Sequence, residues 1–255
     1  MRAARIAGPL LVLALLVGAW WLYVELSGVG VDTLPSPERV VSAGWDDRHA
    51  LWDNVWPTLW ATLLGFSLSL VLGFALSAAL DFSGLVRGAV LPVLVASQTL
   101  PLVALAPLVI LWFGFGLLPK VLLVAFVTFF PITVGLVEGY AATDRDREAL
   151  LRSMGASRVR IFRSLRLPTA MPFFFAGLRI AITYAVVGAI FAEYAGSEKG
   201  LGIYMQAAKN SFRTDLVLAA VLVSAALTLA LFALTFLIER LAIPWARLER
   251  RERTP

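Results

Sequence analysis

The 255-residue sequence contains no cysteine, a single histidine and few charged side chains. Without cysteine, the chain has no disulfide, no catalytic thiolate and no cysteine ligand for a metal. The histidine, His49, lies in a polar segment, where a solvated side chain is a more common role than metal binding, and we expect no cofactor. Charged residues make up 15% of the chain, whereas soluble domains contain roughly a quarter. An ordinary soluble domain is therefore not expected.

Apolar residues dominate the composition: 60% of the chain is hydrophobic and the mean hydropathy is +0.83. A soluble core of this length cannot bury so much apolar surface, so lipid is the expected solvent. Runs of about 20 apolar residues are long enough to cross a bilayer as helices. Six such runs occur, at about residues 6–26, 55–80, 89–113, 120–140, 173–194 and 216–238. They predict an all-α polytopic membrane protein with six transmembrane helices, of which the third is interrupted by prolines.

The positive charges are distributed unevenly between the loops. With six spans, one side of the membrane holds Arg2, Arg5, Arg87, seven arginines within 145–166 and five within 240–253. The other side holds Arg39, Arg48, Lys120, Lys199, Lys209 and Arg213. Because cytoplasmic loops carry the excess of Lys and Arg, we expect both termini in the cytoplasm. The charges flank apolar spans, so the net charge of +5 indicates contact with membrane lipid rather than nucleic acid.

The most basic loop, between the fourth and fifth spans, has the pattern of two short helices joined by an elbow. Asp144 suits the first turn of a helix, and Gly155 is able to take the left-handed conformation that ends one. Ser157 is a natural N-cap for a second helix, which Pro168 is expected to stop. The fifth span is then expected to begin after Pro172.

Three arginines recur at every third position along one side of the predicted second helix: Arg160, Arg163 and Arg166. On charge alone, we would interpret them as a device that holds the loop in the cytoplasm, against anionic lipid. That role does not require the glycine elbow. The elbow therefore favours a second role, as a docking surface for another protein.

The loop resembles the cytoplasmic EAA loop of ABC-importer permeases, whose pattern is Glu-Ala-Ala, three residues, Gly, nine residues and Ile-x-Leu-Pro. The residues at matching spacing are Gly155, Leu165, Leu167 and Pro168. The position of the motif glutamate is occupied by Ala149, and Glu148 lies one residue too early. The departure affects the role of the glutamate but leaves the helix-elbow-helix pattern unchanged.

The resemblance extends from about residue 34 to residue 245, through segments such as "SQTLPLVALAPLVILWFGFGLLPK", "FFPITVGLVEGY" and "IERLAIPW". Together, in this order, these segments resemble the nitrate/sulfonate/taurine-type permeases. The resemblance implies the fold of a type I, MetI-like ABC-importer permease. It also implies a first helix with an external loop at 1–54, a permease core at 55–245 with a coupling loop at 141–172, and a cytoplasmic basic tail at 246–255.

The same resemblance implies the partners of the chain: two copies of an ABC ATPase, an external solute-binding protein and a second permease copy, in the inner membrane of a bacterium. The sequence lacks the G-x-x-x-x-G-K-[ST] loop that cradles nucleotide phosphates, so no catalytic residue is expected. Coupling to the ATPase is implied for Glu148, Ala149, Gly155, Ala156, Ser157, Arg160, Arg163, Leu165, Leu167 and Pro168.

Polar residues inside apolar spans are candidates for the translocation path, because such residues are costly in lipid. These candidates are Ser97, Gln98 and Thr99, with Pro101 beside them, and Glu193 at the end of the fifth span. Hydrogen bonding between helices is an equally open interpretation of Ser97, Gln98 and Thr99. A further charge, Arg179, either reaches the cytoplasmic side or pairs with Glu138.

The nearest resemblance in substrate is to permeases for the pyrimidine precursor of thiamine, and riboflavin, sulfonate or taurine, and nitrate importers are alternatives. A stand-alone secondary transporter or channel is a competing class. It would need ionisable residues at mid-membrane for ion coupling, and Arg179 is nearly the only deeply placed charge. A passive membrane anchor is a third class, which does not explain the proline-broken third span.

Overall fold

A computed structural model describes the backbone of residues 2–244 and the side chains of residues 7–244. Within this part of the chain all regular secondary structure is helical, and turns and loops connect the helices. The helices are α1 (Arg2–Ser27), α2 (Pro37–Asp46), α3 (Arg48–Phe82), α4 (Gly84–Ser97), α5 (Leu102–Phe113), α6 (Leu117–Ala141), α7 (Arg145–Ser153), α8 (Arg158–Ile161), α9 (Leu167–Gly196), α10 (Leu201–Asn210) and α11 (Thr214–Ala242). A π-helical turn, Phe162–Arg166, joins α8 to α9. The predicted tail at 246–255 and Trp245 lie outside the described residues.

Five helical segments of the described chain are long and apolar enough to cross a membrane: Ala7–Ser27, Arg48–Phe82, Leu117–Ala141, Arg158–Gly196 and Thr214–Ala242. Each contains or overlaps one of the predicted spans. The predicted third span is instead a pair of helices, α4 and α5, which are bent by 101° at a short break. The prediction of an all-α chain is therefore confirmed, and the six predicted spans correspond to these five segments and the bent pair.

One proline of three accounts for the break in the third span. Pro92 and Pro107 lie inside α4 and α5, whereas Pro101 is the N-cap of α5 with an extended backbone (ψ 123°). Proline has no N–H to donate, and it disfavours helical geometry at the residue before it, here Leu100. The chain therefore leaves the helix at Gln98 and starts a new one in another direction.

The core of the bundle is formed by α3, α6 and α9. Helices α3 and α6 are parallel, because Gly65 faces Val124 and Gly73 faces Ile132. A Cβ atom at Gly65 would lie 2.5 Å from the Cβ of Val124, so only glycine allows this approach. Small residues permit close contact between helices where lipid offers no hydrophobic driving force.

Helix α9 packs antiparallel to α6 at equally short distance. Gly139 faces Ala170, and a Cβ atom at Gly177 would lie 2.3 Å from the backbone oxygen of Pro131. Because α3 and α6 are parallel, the bent pair α4–α5 must return the chain from one end of the bundle to the other. The bent pair thus carries the chain back to the other end of the bundle, as a straight third span would.

The two ends of the bundle differ. We call the end that holds the C-terminus of α3, the C-terminus of α6 and the loop with α7 and α8 the basic end. At the far end, α2, α10 and the adjoining ends of α3 and α11 share a small core that includes Val40, Leu51, Leu201 and Ala220. Trp20 of α1 packs against this far-end core, while nearly all other residues of α1 from Ala7 onward are exposed.

Candidate functional site

The predicted elbow is present at the basic end. Helix α7 ends at Ser153, Gly155 has a φ of +79°, and the hydroxyl of Ser157 accepts the backbone N–H of Arg160 at 3.3 Å. At the start of α7, the carboxylate of Asp144 accepts the backbone N–H groups of Asp146 and Arg147. The helix-elbow-helix geometry predicted from the glycine and the caps is confirmed.

The prediction that Pro168 stops the second helix is wrong. Residues 158–196 form one continuous helical segment, so the fifth span begins at the elbow and not after Pro172. The π-turn supplies the reason: the N–H of Leu167 bonds to the oxygen of Phe162, five residues back. This wider turn accommodates the missing N–H and the ring of Pro168 directly after it, in the first turn of α9.

The π-turn also corrects the predicted row of arginines. Arg160 and Arg163 are exposed, as the prediction of one basic side requires, whereas the side chain of Arg166 is 25% exposed and turned toward the bundle. A π-turn holds more residues per turn than an α-helix, so Arg166 leaves the row that a three-residue spacing predicts. Ile161 is buried on the bundle side, and Leu165 and Leu167 are half-buried there.

Arg166 joins three elements through its two terminal nitrogens. Nη1 donates to Oδ1 of Asp81 in the last turn of α3 at 2.5 Å, and Nη2 donates to Oε2 of Glu148 in α7 at 2.9 Å. Arg152 donates to the other oxygen of Glu148 at 2.6 Å. Burial alone would raise the pKa of Glu148, but the hydrogen bonds from Arg166 and Arg152 outweigh burial and lower it below its ordinary value. Glu148 is therefore ionised at neutral pH.

A cleft of about 390 Å³ opens beside these ion pairs. It is lined by the end of α3 and by the two helices of the elbow: Asp81, Phe82, Glu148, Arg152, Ala156, Arg158, Ile161 and Arg166. The guanidinium of Arg158 lies over the ring of Phe82, 5.7 Å from its centroid. Sequence reasoning did not predict this site. Asp81 was an available signal, because a carboxylate in the last turn of a helix is stabilised by a nearby cation.

The outer surface of the elbow is both basic and apolar. Leu150 is 61% exposed, Met154 is 74% exposed and Val159 is 50% exposed. These side chains are interspersed with exposed arginines: Arg145, Arg147, Arg152, Arg158, Arg160 and Arg163. Ala149 is exposed as well, so the position of the motif glutamate faces outward, while Glu148 faces the bundle.

The predicted polar residues of the third span lie at the bend between α4 and α5. Ser97 and Thr99 donate their hydroxyls to backbone oxygens three residues earlier, at 2.6 and 2.8 Å. The amide of Gln98 donates to the hydroxyl of Ser97 at 3.3 Å, and both Gln98 and Pro101 are exposed in the single chain. The bend therefore presents an exposed amide in the interior of a span.

Glu193 does not lie on an exposed surface of the described chain, contrary to what a place on the translocation path requires. Glu193 is 0% exposed, and the hydroxyl of Thr58 donates to its carboxylate at 2.8 Å. The N–H groups that open α10 are each accepted by a side chain: Gly200 by Asn54 (2.9 Å), Leu201 by Thr58 (2.9 Å) and Gly202 by Glu193 (2.8 Å). Glu193 thus fastens α10 to α3 and α9.

Sequence reasoning missed both partners of this network. Asn54 and Thr58 are four residues apart at the start of α3, on one face of the helix, and that spacing was the available signal. Of the two predicted alternatives for Arg179, the pairing with Glu138 is wrong: the guanidinium pairs with Glu239 in the last turn of α11, whereas Glu138 is exposed. That Arg179 reaches the cytoplasmic side stays a prediction.

The bundle defines a class of protein, which is a polytopic helical membrane protein. The fold matches that of the methionine ABC transporter MetNI in inward-facing conformations, with a TM-score of 0.67 and 18% identity, over 76% of this chain and 96% of that chain. A second match, an amino acid ABC transporter crystallised with histidines, has a TM-score of 0.61 and 15% identity, over 79% of this chain and 96% of that one. The predicted fold, that of a MetI-like ABC-transporter permease, is confirmed.

The family follows from the sequence matches. Residues 69–247 match the family described as "Binding-protein-dependent transport system inner membrane component". The chain is 35% identical to the formylaminopyrimidine transport permease protein ThiX of Halalkalibacterium halodurans, over 96% of this chain and 98% of that protein. It is 38% identical to the riboflavin transport system permease protein RibX of Chloroflexus aurantiacus, over 91% of this chain and 88% of that protein. The chain therefore belongs to this family of ABC-importer permeases and is a multi-pass protein of the inner membrane.

Proposed function

We propose that this chain forms the translocation path of an ATP-driven importer for a pyrimidine precursor of thiamine, as a pair of identical copies. Two ATPase subunits dock on the elbow at the basic end, and an external binding protein delivers the solute to the far end. Both termini lie in the cytoplasm, because the basic end carries the larger share of Lys and Arg. The observation that carries the docking role is the mixed apolar and basic surface of the elbow.

Exposed apolar side chains favour a protein partner over lipid headgroups at the elbow. The arginines alone would be enough to bind anionic lipid headgroups. Leu150, Met154 and Val159 gain nothing from headgroups, and exposed apolar patches rimmed by polar residues mark protein–protein contacts. The left-handed Gly155 then gives the docked surface a defined shape, because it sets the angle between α7 and α8.

The bend between α4 and α5 supports a path between two permease copies. An exposed amide at Gln98 is costly against hydrocarbon, because lipid offers it no hydrogen-bond partner. A water-filled path, or the same bend of a second copy, would provide such partners. Ser97, Thr99 and Pro101 belong to this path in the proposal, whereas Glu193 acts from the buried side as an anchor for α10.

The relatives support the proposed substrate. ThiX is 35% identical over nearly the full length of both proteins, and its name specifies a formylaminopyrimidine. RibX, whose name specifies riboflavin, is 38% identical over a slightly shorter share, so riboflavin is the second candidate. Both named substrates are flat nitrogen heterocycles. The putative aliphatic sulfonates transport permease protein SsuC of Escherichia coli is 34% identical over 90% of this chain and 88% of that protein, so an alkyl sulfonate is the third candidate.

The docking role is tested by replacing Gly155 with tryptophan. Only glycine adopts a φ of +79° without strain, and a large side chain also covers the elbow. We expect Gly155→Trp to insert normally while losing transport and ATPase stimulation. Gly84→Trp is the matched control, because Gly84 also lies at the basic end, with open space around it. Normal transport by Gly155→Trp at normal expression would contradict the docking role.

The substrate is tested separately from the docking. The cognate binding protein is purified without added ligand, and its retained small molecule is identified by mass spectrometry. A formylaminopyrimidine or a related thiamine precursor is expected. Riboflavin, taurine or nitrate in its place would replace the substrate in the proposal and leave the docking role untouched.

A further inference from the structure

Helix α7 is attached weakly to the rest of the bundle. None of its residues is buried, and only Glu148 and Leu151 are half-buried. The ion pair from Glu148 to Arg166 joins α7 to the start of the fifth span at 2.9 Å. A push on the elbow therefore reaches the bundle through this ion pair as well as through the chain itself.

Arg166 also holds the end of α3. Asp81 lies in the last turn of α3, where the helix dipole disfavours a carboxylate, so a cation at this position stabilises the helix end. The side chains of Asp81 and Glu148 are only 10% and 13% exposed, so solvent screens these pairs weakly. A guanidinium presents donors in a fixed planar fork and can hold two carboxylates at a set separation, whereas lysine is a single point charge.

The π-turn is bound to α3 at both of its ends. At one end, the ring of Phe162 lies 5.1 Å from that of Phe82 and 5.3 Å from that of Tyr140, in α6. At the other end, Arg166 reaches Asp81, the neighbour of Phe82. The elbow, the start of the fifth span and the end of α3 thus meet at a single π-turn, an element that occurs frequently at functional sites.

We propose that Arg166 is a positioning residue that transmits movement of the elbow to α3, through Glu148 on one side and Asp81 on the other. This inference rests on the proposed function, in which an ATPase moves the elbow. It assigns to Glu148 an internal role: Glu148 does not contact the ATPase, and its ion pair with Arg166 makes α7 move together with the bundle. Because α3 packs along α6 through Gly65 and Gly73, movement passed to α3 reaches the centre of the bundle.

The test uses the full importer, with permease, ATPase and binding protein, reconstituted in lipid nanodiscs. Arg166→Lys keeps the charge and removes the fork, Glu148→Gln removes the link to α7, and Asp81→Asn removes the link to α3. Glu138→Gln is the matched control, since it neutralises an exposed carboxylate at the same end. The readouts are co-purification of the ATPase, basal hydrolysis, and stimulation of hydrolysis by liganded binding protein.

We expect the three variants to retain the ATPase and basal hydrolysis while stimulation falls on the order of tenfold, within the usual range of coupling between sites. Glu138→Gln should match the unmodified importer. Full stimulation in Arg166→Lys and Asp81→Asn would overturn the inference. Loss of the ATPase from these variants would also overturn it, because Arg166 would then bind the partner directly. If the unmodified chain retains no ATPase, the proposed function fails instead.

A distance measurement tests the mechanical link without relying on hydrolysis. The chain has no cysteine, so spin labels can be attached at single introduced cysteines, Asp146→Cys in α7 and Leu85→Cys next to the end of α3. Both positions are exposed and lie outside the apolar side chains of the proposed docking surface. The distance between the labels should be the same with and without ATP in the importer that carries Arg166. In the Asp81→Asn background it should change when ATP binds, and an unchanged distance there would contradict the link.

Discussion

Replacing Thr58 with valine removes one hydroxyl and keeps the shape of the side chain, at a position that is fully buried. That hydroxyl accepts the N–H of Leu201 at 2.9 Å and donates to Glu193 at 2.8 Å. Valine offers neither function. The variant therefore leaves a backbone donor at the start of α10 and a carboxylate oxygen without these partners, inside a protein environment that contains no bulk water.

The size of the effect follows from the two groups left unpaired. An unsatisfied buried donor or acceptor destabilises by about 1–3 kcal/mol, so two of them amount to roughly 2–6 kcal/mol. For proteins of this size, 1 kcal/mol shifts the Tm by about 2–4 °C, and the expected decrease is on the order of 10 °C. The N–H groups of Leu201 and Gly202 should also exchange with solvent faster, because α10 loses part of its anchor.

Thr62→Val is the matched control, one turn further along α3. Thr62 is also fully buried, but its hydroxyl donates only to the backbone oxygen of Thr58 at 2.7 Å. Its loss leaves no donor unpaired, and we expect a decrease in stability of about 1 kcal/mol or less. Thermal unfolding in detergent, followed by tryptophan fluorescence, measures both variants. Equal decreases for Thr58→Val and Thr62→Val would refute the anchoring role of the network.

Two further predictions concern the packing of the spans. Gly177→Leu places side-chain atoms where a Cβ already lies 2.3 Å from a backbone oxygen of α6, so we expect little folded protein on size-exclusion chromatography, whereas Gly18→Leu, in open space, should behave normally. Arg179→Gln or Glu239→Gln alone should destabilise by about 3–5 kcal/mol, because each leaves a half-buried charge unpaired, and the double variant should be more stable in thermal unfolding than either single variant. Additive effects of the two single changes would argue against a functional ion pair.

The class of the protein and its elbow could be predicted because their signals are local. A run of apolar residues long enough to cross a bilayer identifies a span regardless of its neighbours. Gly155 and Ser157 act through their own backbone and the next three residues, so their conformations follow from sequence. The stop predicted at Pro168 failed because a non-local choice, the π-turn before it, made the proline compatible with a continuous helix.

The break in the third span shows the same boundary between local and non-local information. Three prolines occur there, and each has the same intrinsic effect on a helix. Only Pro101 became a break, while Pro92 and Pro107 were absorbed within helices. The requirement to return the chain along parallel α3 and α6 belongs to the tertiary structure and is not written in any one segment.

The partners of the charged residues were decided by the tertiary structure alone. Arg179 pairs with a residue 60 positions away, Arg166 with one 85 positions away, and Glu193 with one 135 positions away. Sequence by itself identified Arg179 and Glu193 as costly in a membrane protein, because desolvation depends on the local apolar context, whereas it placed Arg166 only in a basic row of the loop. Which opposite charge or hydroxyl offsets that cost depends on helix packing, and this packing is set by close contacts at a few glycines whose facing residues no local pattern reveals.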